Sequence, residues 1–295
     1  MSPDKIPGNP ARNPAEFFAL PGHSLLAMDG PDALAFAQAQ FASDVTALAI
    51  GHWHWSAWLS AKGRVIAVFA LLRTGEASLR LMLPDHDAGE LGDALRRFVF
   101  RRKVAIAPRP DLHAAGAFAA PAAASGSVLA GAEDAAAGLE LDFGAPGLPR
   151  TLRLAATPAV EDPVAAEAWT VADLRLGLPR LAVSQREAWT PQQLALDRLP
   201  AFSVKKGCYP GQEIVARTHF LGKAKRELLL LQVDDAADAG AEVSQAGKPI
   251  GSLASVAGHA PRWALAVLPL ERGDEPLVVG ATTVSPQAFV EGLAR

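Results

Sequence analysis

Between Gly51 and Leu83 the chain spells out an antiparallel meander, and no other stretch limits the fold as strongly. In Gly51-His52-Trp53-His54-Trp55-Ser56-Ala57-Trp58, strict alternation puts Trp53 and Trp55 on one strand face and His52 and His54 on the other. Ser60-Ala61-Lys62-Gly63-Arg64 is a turn. A nearly continuous apolar strand follows from Val65 to Leu72, and Thr74-Gly75-Glu76 turns the chain into a third strand from Ser78 to Leu83. The tryptophans read as core, although one could wall an aromatic ligand pocket. Two histidines on one strand can both reach a metal, but no carboxylate or cysteine lies close in sequence, so a polar strand face is expected.

The flanks add helices. Leu25 to Met28 is a short strand, and Asp29-Gly30-Pro31-Asp32 breaks it, with Asp29 as the expected cap of a helix bearing Leu34, Ala37 and Phe41. That helix exits at Ser43-Asp44. After Pro84-Asp85 a second helix carries Leu91, Leu95 and Phe98 and ends on Arg96, Arg97, Arg101, Arg102 and Lys103. Cations suit a helix C-terminus, so a solvated basic face is expected there, with an anion or nucleic-acid contact as the lesser reading. Val104 to Ile106 is a short strand. From Ala114 to Gly138 the alanine-rich chain reads as weak helix and loop, a variable surface without a site. Two short strands flank Ala145-Pro146-Gly147. A helix from Pro158 to Ala172 carries Trp169 and stops before Gly177-Leu178-Pro179. Past Lys223, four short apolar runs separated by glycine-rich turns predict a small β-barrel or sandwich. The linker Leu221-Gly222-Lys223-Ala224-Lys225 sets the expected domains at 1–222 and 223–295.

Half of the 295 residues are hydrophobic and 20% are charged, which is a globular composition. A net charge of -3 and a pI near 6.2 argue against a whole-protein electrostatic grip on nucleic acid, so no strong direct nucleic-acid binding is expected. No apolar run approaches the roughly 20 residues of a membrane helix. Met1 to Asn13 lacks the basic start and apolar stretch of a secretory signal, and a single cysteine excludes an intrachain disulfide. A cytoplasmic protein without a membrane partner is expected.

That cysteine, Cys208, lies in Lys205-Lys206-Gly207-Cys208-Tyr209-Pro210-Gly211-Gln212-Glu213. Pro210-Gly211 signals a turn, and a short helix starts at Gln212. Two lysines and a helix N-terminus suit an activated or ligand-facing thiol, either redox-active or nucleophilic. A cysteine packed under a tight turn, or an iron–sulfur ligand shared between chains, stays open. Nothing in the sequence pairs a histidine with Cys208, and no phosphate loop or dinucleotide fingerprint is visible.

The run Lys206-Gly207-Cys208-Tyr209-Pro210-Gly211-Gln212-Glu213 resembles the K-G-C-Y-x-G-Q-E motif of the YgfZ-type folate-binding proteins, within the superfamily of the glycine-cleavage T-protein, an aminomethyltransferase. Met28-Asp29-Gly30-Pro31-Asp32, Ala61-Lys62-Gly63-Arg64, the basic stretch from Arg96 to Lys103, Trp169 with Gly177-Leu178-Pro179, and Thr190-Pro191-Gln192 are similar in the same order. The resemblance implies an α+β, T-protein-like fold with two interleaved N-terminal α+β subdomains and a C-terminal β-barrel. It also implies a tetrahydrofolate site at the centre of the domains. The implied role is assembly or repair of iron–sulfur enzymes, among them a radical-SAM tRNA methylthiotransferase, in support of tRNA thiolation.

Carried over position by position, the resemblance assigns Lys206, Cys208, Tyr209, Gln212 and Glu213 to the folate-site motif, with Lys206, Tyr209, Gln212 and Glu213 as cofactor-binding residues and Gly207 and Gly211 as its glycines. Trp169 matches a tryptophan lining the folate pocket, and His23 stands where a second pocket tryptophan can occur. T-proteins carry an acidic pair after the glycine turn that holds the folate amine during one-carbon transfer. Here Ala67 and Val68 occupy those places. The departure favours folate binding without that reaction. A folate-dependent one-carbon transferase or demethylase is the alternative, and a scaffold that has lost its ligand is a third.

Overall fold

His52–Leu59, Val65–Gly75 and Ser78–Leu83 pair antiparallel, with Trp55 opposite Ala70 and Ala70 opposite Met82. Ser24–Asp29 and Ala105–Pro108 extend this to five strands. The computed structural model describes residues 16–135, 137–220, 222, 225–234, 236–259 and 262–295. The Met1 to Asn13 stretch and linker residues 221, 223 and 224 lie outside them.

Both faces of this sheet are covered, which is why Val65 to Leu72 reads as an apolar run and not as an alternation. Val65, Val68, Ala70 and Leu72 join Trp53 and Trp55 in a central core. Ala67, Phe69 and Leu71 face Phe36, Phe41, Leu91 and Leu95 under helices α1 (Ala33–Gln40) and α2 (Ala88–Arg96).

A second five-stranded sheet runs in the order Phe18–Ala19, His113–Ala117, Thr151–Ala155, Leu139–Asp142, Ala130–Gly131. From Phe18 in this sheet the chain crosses to the first at Ser24 and returns after Pro108, so the two α+β subdomains are interleaved. Helix α3 (Pro163–Arg175) packs beside this sheet and against the C-terminal strands, and α4 (Gln212–Phe220) follows the cysteine loop.

Seven strands in the order Thr282–Val284, Leu277–Val279, Glu242–Gln245, Lys248–Ala257, Arg262–Pro269, Arg226–Val233, Pro286–Gln287 curl into the C-terminal barrel. Register shifts at Val243/Ser244 and Leu253/Ser255 help it bend. Leu231, Val243, Leu253 and Leu268 fill its own interior, whereas Leu228, Leu230, Leu265 and Val267 enter the central core. The chain then returns to the N-terminal region, where the indole of Trp55 donates to the Leu293 carbonyl at 2.9 Å.

Four local expectations are corrected. Asp29 does not cap α1; it ion-pairs with Arg80 at 2.8 Å, and Asp32 precedes the helix. Helix α2 ends at Arg96, so Phe98 lies beyond it, 42% exposed. Helix α3 starts at Pro163 and not near Pro158, because the Asp162 carboxylate caps it by accepting from the Ala165 amide at 2.9 Å. The stretch from Ala114 is no weak helix: His113–Ala117 lies within the second sheet, between Phe18–Ala19 and Thr151–Ala155. Its small residues are selected by what covers them. A Cβ on Gly116 would come within 2.8 Å of the Trp169 ring. Glu242–Gln245 was hidden because Val243 is its one apolar residue.

Candidate functional site

The cysteine loop is shaped by bonds to backbone. The Ser203 hydroxyl accepts from the amides of Lys205 and Lys206 at 3.2 and 3.3 Å, and the Tyr209 hydroxyl donates to the Ser203 carbonyl at 3.0 Å. The Gln212 side chain donates to the Lys206 carbonyl at 2.9 Å and ties the start of α4 to the loop. Gly211 has φ +78°, and a Cβ there would sit 2.5 Å from the Gly63 Cα and 2.6 Å from the Ser60 carbonyl. This contact sets the Ala61-Lys62-Gly63-Arg64 turn directly on the Pro210-Gly211 turn, and it explains both glycines. Cys208, Gly207 and Glu213 are exposed at the surface of this arrangement.

Lys206 turns inward. Its ammonium donates to the carbonyls of Gln38 at 2.6 Å, Phe41 at 2.5 Å and Ser43 at 2.9 Å, closing the C-terminal end of α1, and it lies 5.0 Å from the centre of the Tyr209 ring. Burial pulls its pKa down to about 8, opposed by the nearby Asp44 carboxylate. Burial pushes the Tyr209 phenol up to about 12. The Lys206 charge is therefore spent on α1, and the expected pairing of two lysines with the thiol reduces to the exposed Lys205. Beside this clamp the Ser43 hydroxyl meets His54 Nε2 at 3.0 Å and donates to Ser56 at 2.7 Å. Burial lowers His54 to about 4, with Asp44 opposing and Lys206 reinforcing the shift. His52 contacts the Ile50 carbonyl instead. Among the described residues, no group of three or more His, Cys, Asp or Glu is placed to hold a metal.

Trp169 forms a second centre. Its ring is fully covered by Phe18 (6.1 Å between centroids), Phe118 (5.9 Å), Phe143 (6.0 Å) and the Arg150 guanidinium 4.4 Å above it. Arg150 is fully buried. It donates to Asp173 at 2.7 Å and to the Phe143 carbonyl at 3.2 Å. Asp173 also takes Arg180 at 2.8 Å, and Arg180 reaches Asp85 at 2.7 Å. Two cations and two anions thus neutralise one another, with Arg150 and Asp173 fully buried and Asp85 at the edge of solvent. Burial raises Asp85 even against Arg180.

His23 adjoins the same cations. Burial, then Arg180, then Arg150 hold its pKa well below the usual histidine range. The Leu20 carbonyl pulls the other way without reaching bonding geometry. The two ring nitrogens of His23, Trp169 Nε1 and Arg150 Nη2 are buried without a partner among the described residues. The structure therefore gathers His23 and Trp169 around one network, and gathers Lys206, Tyr209 and Gln212 into one loop. Arg150, Asp173, Arg180 and Asp85 escaped the sequence reading. They lie 7 to 96 positions from their partners, with no local pattern to flag them.

Ala67 and Val68 border a small cavity of about 10 Å³, together with Asp85, His86 and Arg186. The Asp85 carboxylate there is occupied by Arg180 and by the Leu181 amide at 3.1 Å.

This arrangement has the fold of an aminomethyltransferase. The glycine cleavage system aminomethyltransferase T from Bartonella henselae superposes with a TM-score of 0.72 over 93% of this chain and 84% of that one, at 14% identity. Residues 225–289 match the CAF17 C-terminal β-barrel domain. The tRNA-modifying protein YgfZ of Cronobacter sakazakii is 31% identical over 269 residues, covering 84% of this chain and 79% of that protein. An uncharacterized protein of Haemophilus influenzae is 28% identical over 232 residues, 78% of each chain. The chain belongs to the YgfZ family.

Proposed function

We propose that the protein binds tetrahydrofolate at the Trp169 centre and acts as an accessory factor in the assembly or repair of iron–sulfur enzymes, supporting tRNA modification by thiolation. The observation that carries the folate reading is the group of orphaned buried polar atoms on His23, Trp169 and Arg150 beside four aromatic rings. Native interiors leave few such groups unpaired, and a ring system bearing hydrogen-bonding nitrogens supplies what these lack. Trp169 is covered here, so a ligand stacking on it takes the place of a neighbouring ring. Trp169 and His23 would hold the folate. Lys206, Tyr209, Gln212 and Glu213 would shape the wall carrying Cys208, whose exposed thiol is presented to a partner's cluster or thiol. The tRNA-modifying role named for the Cronobacter relative supports the tRNA part of the reading.

The transferase alternative needs a free carboxylate at the folate amine. Ala67 and Val68 offer none, and Asp85 is already engaged. The expected compartment is the cytoplasm; no described helix is long and apolar enough to cross a membrane.

Titration with tetrahydrofolate, followed by tryptophan emission and calorimetry, tests the binding step. Quenching that is lost in Trp169→Phe supports it, and no heat with no quenching removes it. A deletion strain should lose thiolated tRNA and iron–sulfur enzyme activity. Full rescue by Cys208→Ala would take the thiol out of the mechanism.

A further inference from the structure

After α2 the chain carries Arg97, Arg101, Arg102 and Lys103, all exposed, and none of their side chains has a carboxylate partner among the described residues. Arg96 is different: its guanidinium is taken by Asp93 and by the Ile106 carbonyl. Of the aromatic residues between these cations, Phe98 keeps an edge contact with the buried Trp58, while Phe100 leaves the core. Phe100 is 87% exposed and Phe98 42%. Phe100 has φ +47°, a conformation that a bulky L residue rarely adopts and that clusters at functional positions. Asp32, Val99, Phe100, Arg101 and Arg102 line an open depression of about 570 Å³.

A solvated helix end accounts for Arg96 and Arg97, at the C-terminus of α2. It does not account for the exposed Phe100 or for cations that continue past the helix. We infer that this loop is a docking surface for RNA, with the arginines on phosphates and Phe100 as a stacking platform for an unpaired base. Cations interleaved with an exposed ring are what single-stranded or looped RNA requires. An acidic peptide would need the cations alone, whereas an unpaired base also uses the face of an exposed ring. The net charge of -3 keeps the contact local and salt-sensitive.

The inference rests on the tRNA reading above and gives it a place in the fold. Helix α1 starts where Asp32 holds Lys103, by its amide at 3.2 Å and its carboxylate at 2.6 Å. It ends where Lys206 takes the carbonyls of Gln38 and Phe41. One helix of eight residues, about 12 Å long, thus joins the basic loop to the cysteine loop.

The test is fluorescence anisotropy of the full chain with a 5′-labelled RNA stem-loop across a salt series. The wild type should bind. The double variant Arg101→Glu with Arg102→Glu should weaken binding by about tenfold or more and flatten the log–log salt slope by about 1.4. Phe100→Ala should cost about fivefold or more. The thermal midpoints of these exposed-site variants should match the wild type. Unchanged RNA affinity in the double variant overturns the proposal. So does tight binding to phosphatidylglycerol vesicles with none to RNA. The tRNA reading fails separately. If the deletion strain keeps normal thiolated tRNA, that reading is lost. If the strain lacks it and the double variant restores it fully, only the docking surface is lost.

Discussion

The side-chain bonds that shape the Cys208 loop run to backbone atoms, whereas the Trp169 centre is held by charge on charge. In the loop, Lys206, Tyr209 and Gln212 all end on carbonyls. In the centre, Arg150, Asp173, Arg180 and Asp85 form one chain of ion pairs, fully buried at Arg150 and Asp173 and reaching the solvent edge at Asp85. The loop's anchors therefore depend on residue types within a short stretch, and the thiol stays outside the bonding. The centre depends on every partner being present, because each charge there is tolerable only while it is paired.

Breaking the centre should have the largest effect. Arg150→Met leaves Asp173 with a single cation and uncovers the Trp169 ring, and it should cost about 3–5 kcal/mol in urea denaturation. Tryptophan emission should shift in the native baseline, because Arg150 lies 4.4 Å over that ring. If stability is kept, the ion-pair chain is not what holds the centre.

Acid should probe the loop side. His54 stays neutral in the fold, with a pKa near 4 against an ordinary 6.5. The unfolded chain binds the extra proton first as pH falls. Stability is therefore complete above pH 6.5, declines below it, and reaches its full loss below pH 4, by about 3 kcal/mol. His23 and His86 shift in the same direction. In His54→Gln the decline over this window should shrink without vanishing. An unchanged slope in urea midpoints taken from pH 7 to pH 4 would sink the assignment. Gly211→Ala, next in size, should cost about 2 kcal/mol, from a left-handed backbone and a collision with Gly63. Denaturation midpoints read it directly. A neutral result would mean that the two turns separate freely.

The same contrast explains what the sequence disclosed. The meander was legible because period-two alternation and a doubly buried strand leave a pattern in consecutive residues. The cysteine loop was legible because its residue types sit in one run. The Ala114 segment was misread because alanine and glycine look unstructured until Trp169 and Phe18 are known to lie against them. The inward turn of Lys206 was hidden for a related reason. Its three acceptors are carbonyls 163 to 168 positions away, and carbonyls leave no mark in a sequence. Asp85 and Arg180 lie 95 positions apart, and nothing local joins them.

The smallest expected effect separates architecture from chemistry most cleanly. Cys208 is exposed, and no described side-chain bond of the loop uses its sulfur. Cys208→Ala should therefore change stability by less than about 0.5 kcal/mol. Lys206→Met, two residues earlier, strips three carbonyls of their donor and should cost about 2 kcal/mol or more. Hydrogen exchange at the end of α1 should rise in the lysine variant and stay unchanged in the cysteine variant. If both variants fail to restore tRNA thiolation while only the lysine variant is destabilised, the thiol acts chemically and the lysine acts by placing it. A destabilised Cys208→Ala would instead make the cysteine one more part of the turn.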